Sequence, residues 1–516
     1  MTIAGSKLAS PAFTAEGAGI TEFIIISHKD GKKADIKQGI QGQCSFKYYE
    51  SILQDVVRAT VTFIDTGDSV DGKSVKEGLP ITGEEKSVIK IVDNNDESLE
   101  VELAVNKPKD VYDDTRKKIT GLSFASTEFF RNERVRVSSH MEGLVSQSVK
   151  SILTQSGGES TGGEKKSKTI EYLDTEKEVF IEKSSNKWTF NGNGWKCFWW
   201  INRLAREAIP SGENVDEGKI GDNAGFMFWE TSEGFHFKSV DGLMNTETNK
   251  PKKRFIYNET PEGPCSANLP ERYDAKVLEF SAEGGIDVQS KLEKGTYSNH
   301  GNYFNPYNTY MQSVDVAAGN FPTDVKPIVN AKGRHEYLKL AGKEFPTLDT
   351  DTTATRNFWN FEDTGTNSSG SVEEQIKDSK KPNWSPENTK GQATARLNQL
   401  FAFQVTITIP GDFSLHAGDA VYFDAPGLRS DKKEVSGNEQ LDKHIGGNYI
   451  IMSLVHYLDG SNTLTKLTLV RDSFGRKPQD RTDNSTTGDS TSSSGKFKPI
   501  PEVKMSGFNL SLMDVG

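Results

Sequence analysis

Apolar and polar residues alternate cleanly near position 60, where Val57, Ala59, Val61 and Phe63 share one face of an extended segment and Arg58, Thr60 and Thr62 the other. β-Branched or alternating stretches also occur at 23–27, 44–49, 87–92, 99–105 and 118–125, separated by Asp, Gly and Asn turns. With 56–64 they make six short strands, which predicts a barrel over 20–135 behind a short arm, 1–19. After Phe129 the period changes. Leu144, Val145, Ser148, Val149 and Ile152 fit a helix, and Cys197, Trp200, Ile201, Leu204, Ala205 and Ala208 recur at the spacing of a single helix face. Asn193 is placed to cap this second helix and Pro210 to stop it. Phe226, Phe228 and Glu230 then alternate with Met227 and Trp229, a Ser232-Glu233-Gly234 turn follows, and Phe235 and Phe237 alternate with His236 and Lys238. A helix followed by a hairpin places a small mixed α+β domain at 136–275.

Strand patterning resumes at 276–280, breaks off over 312–388, and returns at 399–409, 419–424, 448–457 and 464–471 after a helical stretch at 389–400. Asp459-Gly460 signals the hairpin between the last two strands. The second strand-rich domain is therefore 276–311 with 389–475, interrupted by an insertion at 312–388. Residues 476–495 are a Ser/Thr/Asp/Gly linker too polar to bury a core. The final segment, 496–516, regains apolar residues, among them Phe508, Leu510 and Leu512. A tether with an apolar tip is a means of holding a partner, so these three are candidate interface residues. The fold class is α+β, mainly β, with two barrels around a mixed domain.

At 516 residues the chain has room for several cores, since a single core seldom grows past about 250–300 residues. No run of 18 apolar residues predicts a membrane helix, and residues 1–10 lack the pattern of a secretory signal, so synthesis in a cytoplasm is expected. Cys44, Cys197 and Cys265 are too scattered for a disulfide framework or a zinc site. A net charge of −11 disfavours general binding to nucleic acid.

Catalytic, cofactor and metal sites are not indicated. Gly158 to Gly162 matches G-x-S-x-G, but it lies in a Gly/Ser/Lys-rich stretch without the strand and helix that a nucleophile elbow needs. The histidines at 28, 140, 236, 300, 335, 416, 444 and 456 show no metal spacing. Asp65, Asp68 and Asp71 lack the distant Glu of a calcium loop. Five of the seven tryptophans fall between Trp188 and Leu243, and each large aromatic is worth roughly 4–6 kcal/mol when buried, as an upper figure, which favours core packing. Trp359 and Trp384 are the freer candidates for contact with another molecule.

The stretches 195–208, 225–231 and 234–243, which contain Trp195, Trp199, Trp200, Trp229 and Phe237, resemble the central baseplate hub protein of contractile-tailed bacteriophages of the T-even type. Gly78 to Glu85 looks like the loop before a barrel strand in such hubs, and Val405 to Gly411 with Leu415, Gly418 and Val421 is similar to their second-barrel hairpin. The resemblance spans roughly residues 20–475 and implies two similar tube-type barrels per chain. It further implies a homotrimeric ring with six nearly equivalent barrels, which matches a trimeric central spike to a sixfold tail tube. Implied partners are other copies of the chain, the spike, tube or tube-initiator proteins and wedge proteins of the baseplate, with DNA only in transit through an acidic channel. The expected location is the virion tail, after synthesis in the host bacterial cytoplasm. Val405, Ile407 and Ile409 are candidates for edge-to-edge contact between barrels. Two other classes remain open: a cell-wall hydrolase, requiring a carboxylate pair in a cleft, and a glycan-binding attachment component using Trp359 or Trp384.

Overall fold

The computed structural model describes residues 19–29, 31–36, 44–65, 67, 70–79, 81–93, 97–113, 118–155, 172–211, 224–245, 248–257, 275–283, 287–306, 309–317, 355–362, 364, 371–378, 383–425, 442, 445–459 and 462–472. The expectations for 1–18, the G-x-S-x-G stretch, Asp68, Cys265, His335, His444, Gly460, the linker at 476–495 and the tip with Phe508, Leu510 and Leu512 lie outside them.

The first strand-rich region contains β1 (Gly19–Ile26), β2 (Lys33–Asp35), β3 (Cys44–Ser51), β4 (Arg58–Asp65), α1 (Val75–Gly78), β5 (Lys86–Val92), β6 (Ser98–Asp113) and β7 (Lys118–Ala125). Its sheet order is β3-β4-β7-β6-β5-β1-β2. Alternation in β4 sends Ala59, Val61 and Phe63 into one core with Phe23, Phe46, Ile89, Val101 and Phe124. Phe23 on β1 meets Phe124 on β7 edge to face at 6.1 Å although β5 and β6 lie between their strands, so the sheet curls round its core. Asp65 is buried and accepts the Gly67 and Val75 N–H groups, so this carboxylate braces its own turn.

The mixed region follows α2 (Thr127–Arg134) with β8 (His140–Met141), α3 (Val145–Thr154), β9 (Glu178–Ile181), β10 (Phe190–Asn191), α4 (Cys197–Glu207), β11 (Phe226–Thr231), β12 (Gly234–Ser239) and α5 (Val240–Met244). The face of α4 read from periodicity is buried against α3 and β11. Its start differs from expectation: the N-cap is Lys196 with no side-chain bond, while Asn193 occupies the preceding turn at φ 50°. Both faces of the hairpin are buried. Phe226 and Phe228 join the α4 core, whereas Met227 and Trp229 enter a second core with Leu400, Ala417 and Ile450. Trp229 donates from Nε1 to the Ala417 carbonyl at 2.9 Å, satisfying its one polar atom inside that core. Trp195 and Trp199 depart from the expected burial. They stack on each other at 4.6 Å and remain 51 % and 40 % exposed.

The second strand-rich region has β13 (Arg254–Tyr257), β14 (Ala275–Val277), β15 (Glu279–Glu283), α6 (Val288–Glu293), β16 (Ser298–Asn305), β17 (Tyr310–Ala317), β18 (Arg356–Phe361), α7 (Val372–Asp378), α8 (Pro386–Leu400), β19 (Phe403–Pro410), β20 (Ala420–Asp424), β21 (Gly447–Asp459) and β22 (Asn462–Arg471). Strands β15-β19-β22-β21-β20-β13-β14 run in that order, and only Leu278 separates β14 from β15, so this sheet closes on itself. Its core holds Phe255, Val405, Ile407, Ile409, Phe423, Tyr449, Leu467 and Leu469. Between β15 and β19 the chain makes an excursion in which β16 pairs with β17 and β18 in a separate sheet backed by α8. Residues 298–305, counted by sequence with the second strand-rich domain, form a strand that pairs with residues 310–317 and 356–361.

Candidate assembly site

Numbered within each region with β16, β17 and β18 set aside, both sheets have the strand order 3-4-7-6-5-1-2. Strands three to seven are antiparallel in both. They differ at strand one: β1 lies antiparallel to β5, whereas β13 is parallel to β20.

The repeat extends to single residues. β6 pairs with β7 as Ala104 with Ala125 and Val105 with Phe124, then slips one residue to Lys107 with Ser123. β21 pairs with β22 as Ile450 with Val470 and Ile451 with Leu469, then slips to Ser453 with Thr468. Asn106 and Met452 are therefore equivalent bulges, devices that bend a strand and raise its twist. The turns before strand five also match. Glu85 accepts the Thr82 N–H at 2.5 Å and its equivalent Asp419 accepts the His416 N–H at 2.8 Å, and the residue before each carboxylate, Glu84 at φ 65° and Gly418 at φ 93°, has positive φ. Positive φ favours glycine, which the second module alone has at this place. Sequence reading singled out both segments without aligning one with the other.

The bulge decides what strand six does next. Up to Ile450, β21 is paired with β20; from Ser453 to Asp459 that same side pairs with β3, Ser453 opposite Ser51 and Asp459 opposite Ser45. Strand six of the second module thereby adds to strand three of the first. In the first module β6 leaves β5 after Ala104, and its stretch from Lys107 to Asp113 has β7 on one side and, among the described residues, no strand on the other. Likewise β15 pairs with β19 alone among the described residues. Among the described residues one strand-six edge and one strand-three edge thus have no partner strand.

A buried polar seam fixes the joint that is made. The Glu50 carboxylate accepts the Ser232 N–H at 2.9 Å, the Ala417 N–H at 3.0 Å and the Tyr48 hydroxyl at 2.9 Å, with His416 Nδ1 at 3.4 Å. Burial raises this carboxyl, but the bonds from His416 and the two backbone N–H groups outweigh it and hold it below the usual range. Nearby, Glu230 accepts the Val57 N–H at 3.0 Å and is paired with Lys177 at 2.5 Å, tying the hairpin to the first barrel.

Of the predicted interface residues, those on β19 do not lie on either of these edges. Val405, Ile407 and Ile409 are wholly buried, and β19 has β15 and β22 on its two sides, so no open backbone edge exists there. Trp384 is also buried, 4.9 Å from Trp188 with Arg203 and Lys390 over its ring. Trp359 is 56 % exposed and stacks on Phe361. Cys44 and Cys197 are buried thiols that burial pushes up to about 12. His236 lies between Trp229 and Phe180, and His456 is bonded to Thr465 at 2.9 Å.

Two cavities are lined by charged and aromatic side chains. One of about 360 Å³ is lined by Phe180, Glu182, Lys183 and Lys238, and one of about 250 Å³ by Trp188, Glu207, Asn383 and Trp384. Among the described residues each is lined by a single carboxylate, where glycoside hydrolysis takes two across a cleft. Among the described residues no group of His, Cys, Asp and Glu is arranged to hold a metal, and no helix is long and apolar enough to cross a membrane.

No family model matches the chain, and no curated protein matches it. Among solved structures it is similar to the tail protein from Neisseria meningitidis MC58, at 9% identity over 88% of this chain and 98% of that one, TM-score 0.43. It is similar too to the 43 kDa tail protein of prophage MuSo2 from Shewanella oneidensis, at 10% identity over 87% and 98%, TM-score 0.44. A third is the E. coli c3393 protein, described as a type VI secretion component with structural similarity to the T4 tail proteins gp27 and gp5, at 8% identity over 90% and 79%, TM-score 0.34.

Proposed function

We propose that this chain is the hub of a contractile-tail baseplate: a homotrimeric ring whose six barrels join a trimeric spike to a hexameric tail tube and leave a channel for DNA. The repeated module carries this reading. A chain that holds one strand-six to strand-three joint internally and, among its described residues, has no strand on the matching half of each edge has a head-to-tail contact to offer. Such heterologous contacts build a closed ring when the rotation between neighbours closes, and three chains with two modules each give six repeats. Exposed strand edges also invite aggregation unless a partner covers them. The role is architectural; spike, tube and wedge proteins are the partners, and the virion tail is the location. Sedimentation of the purified chain with electron microscopy of the particles tests it. A trimer with a central hole is the expected result, and a chain that stays monomeric at assembly concentrations overturns the reading.

A further inference from the structure

The joint inside the chain sets a register for the joint between chains. Gln404 is opposite Val470 as Arg58 is opposite Ala125, so Glu283, opposite Gln404, corresponds to Tyr49, opposite Arg58. By the same count Ala282 corresponds to Tyr48, Ser281 to Lys47 and Phe280 to Phe46. On the other strand Lys109, opposite Gly121, corresponds to Val455, opposite Lys466, and Asp110 to His456. Within the chain Val455 faces Tyr49 and His456 faces Tyr48.

We infer that copies of this chain join by antiparallel strand addition, with Lys109 of β6 in one copy opposite Glu283 of β15 in the next and Asp110 opposite Ala282. A second slip in β6, between Asp110 and Tyr112, carries the register on to Tyr112 opposite Ser281 and Asp113 opposite Phe280. Pro108 stands on the same edge and has no N–H to donate, so the ladder begins at Lys109; proline is accommodated in strands where its missing donor faces away from the native neighbour. The Ile52 N–H donates to the Met452 carbonyl, and the alternation of antiparallel bonds from that point turns the Glu50 and Tyr48 N–H groups toward β21. The Ala282 N–H correspondingly points outward from β15, and Lys109 with Glu283 forms a non-hydrogen-bonded pair. Cα atoms in such pairs lie about 4.5 Å apart, within the span of a disulfide.

This inference rests on the trimeric reading and adds the edge and register to it. The test uses the full chain in a Cys265→Ser background, since Cys44 and Cys197 are buried. Lys109→Cys with Glu283→Cys is oxidised beside the pair shifted by one residue, Lys109→Cys with Ala282→Cys, and mass is measured for Ala282→Pro. Expected are reducible covalent trimers from the first pair, little cross-linking from the shifted pair, and loss of the trimer in Ala282→Pro with an unchanged circular dichroism spectrum. A trimer that forms normally yet gives no 109–283 disulfide and survives Ala282→Pro overturns the register and leaves the hub reading standing. A cross-link confined to monomers overturns it as well, and an unmodified chain that never trimerises overturns both.

Discussion

Replacing Glu207 with glutamine is expected to stabilise the protein above about pH 7 and to change little near pH 4, against the usual rule that removing one member of a buried ion pair destabilises. Glu207 ends α4, is 2% exposed, accepts the Thr389 hydroxyl, and has Lys390 Nζ at 3.9 Å, too far for a hydrogen bond. Burial pushes its carboxyl up from 4.5 to about 7, with Lys390, Thr389 and Arg203 only partly opposing. A carboxyl raised on folding binds its proton more tightly in the native state. The associated stability is fully present below about pH 4.5 and is lost as pH rises through about 7. The span corresponds to roughly 3 kcal/mol as an upper figure, and glutamine removes that loss while keeping an acceptor for Thr389. Urea unfolding followed by tryptophan fluorescence reads this region directly, because Trp188 and Trp384 line the same cavity as Glu207. The difference in midpoint between wild type and Glu207→Gln should grow from near zero at about pH 4 to its largest value at about pH 8. A variant less stable than wild type at about pH 8 would show that attraction from Lys390 outweighs desolvation, and would refute the reasoning.

Two further outcomes follow from the packing around the hairpin. Arg396 is wholly buried between Asp241 at 2.7 Å and Asp472 at 3.3 Å, so Arg396→Met should destabilise by about 3–5 kcal/mol in urea titrations, and adding Asp241→Asn and Asp472→Asn should recover much of the loss. Gly418→Ala would place a methyl 2.6 Å from Cζ2 of Trp229 at a backbone φ of 93°, and should lower stability by about 1–3 kcal/mol with a shift in Trp229 emission. An unshifted spectrum would show that Trp229 does not meet that loop.

Much of the local structure was legible because it obeys local rules. The alternation in β4 and the six-residue face of α4 were read correctly, since apolar period follows strand and helix geometry. The hairpin was found, but not the burial of both its faces; which surfaces sandwich it depends on Leu400 and Ile450, far along the chain. Val405, Ile407 and Ile409 are expected at an edge-to-edge contact, but β15 and β22 flank their strand on both sides and their side chains enter a core. Trp195 and Trp199 err the other way: aromatic character favours burial, yet the first turn of α4 leaves Trp199 on its outer side.

The sequence by itself determined the composition of the elements, the mainly β class, the mixed region between two strand-rich ones and the lack of a membrane-length apolar helix. The tertiary structure decided how strands far apart in the chain pair. Strand order, the equivalent bulges at Asn106 and Met452, and the edges left open on β6 and β15 come from pairings such as Ser453 with Ser51, about four hundred residues apart. Backbone hydrogen bonding between strands is almost indifferent to side-chain identity, so two modules can share a register residue by residue although equivalent positions carry side chains as different as Arg58 and Gln404 or Gly121 and Lys466.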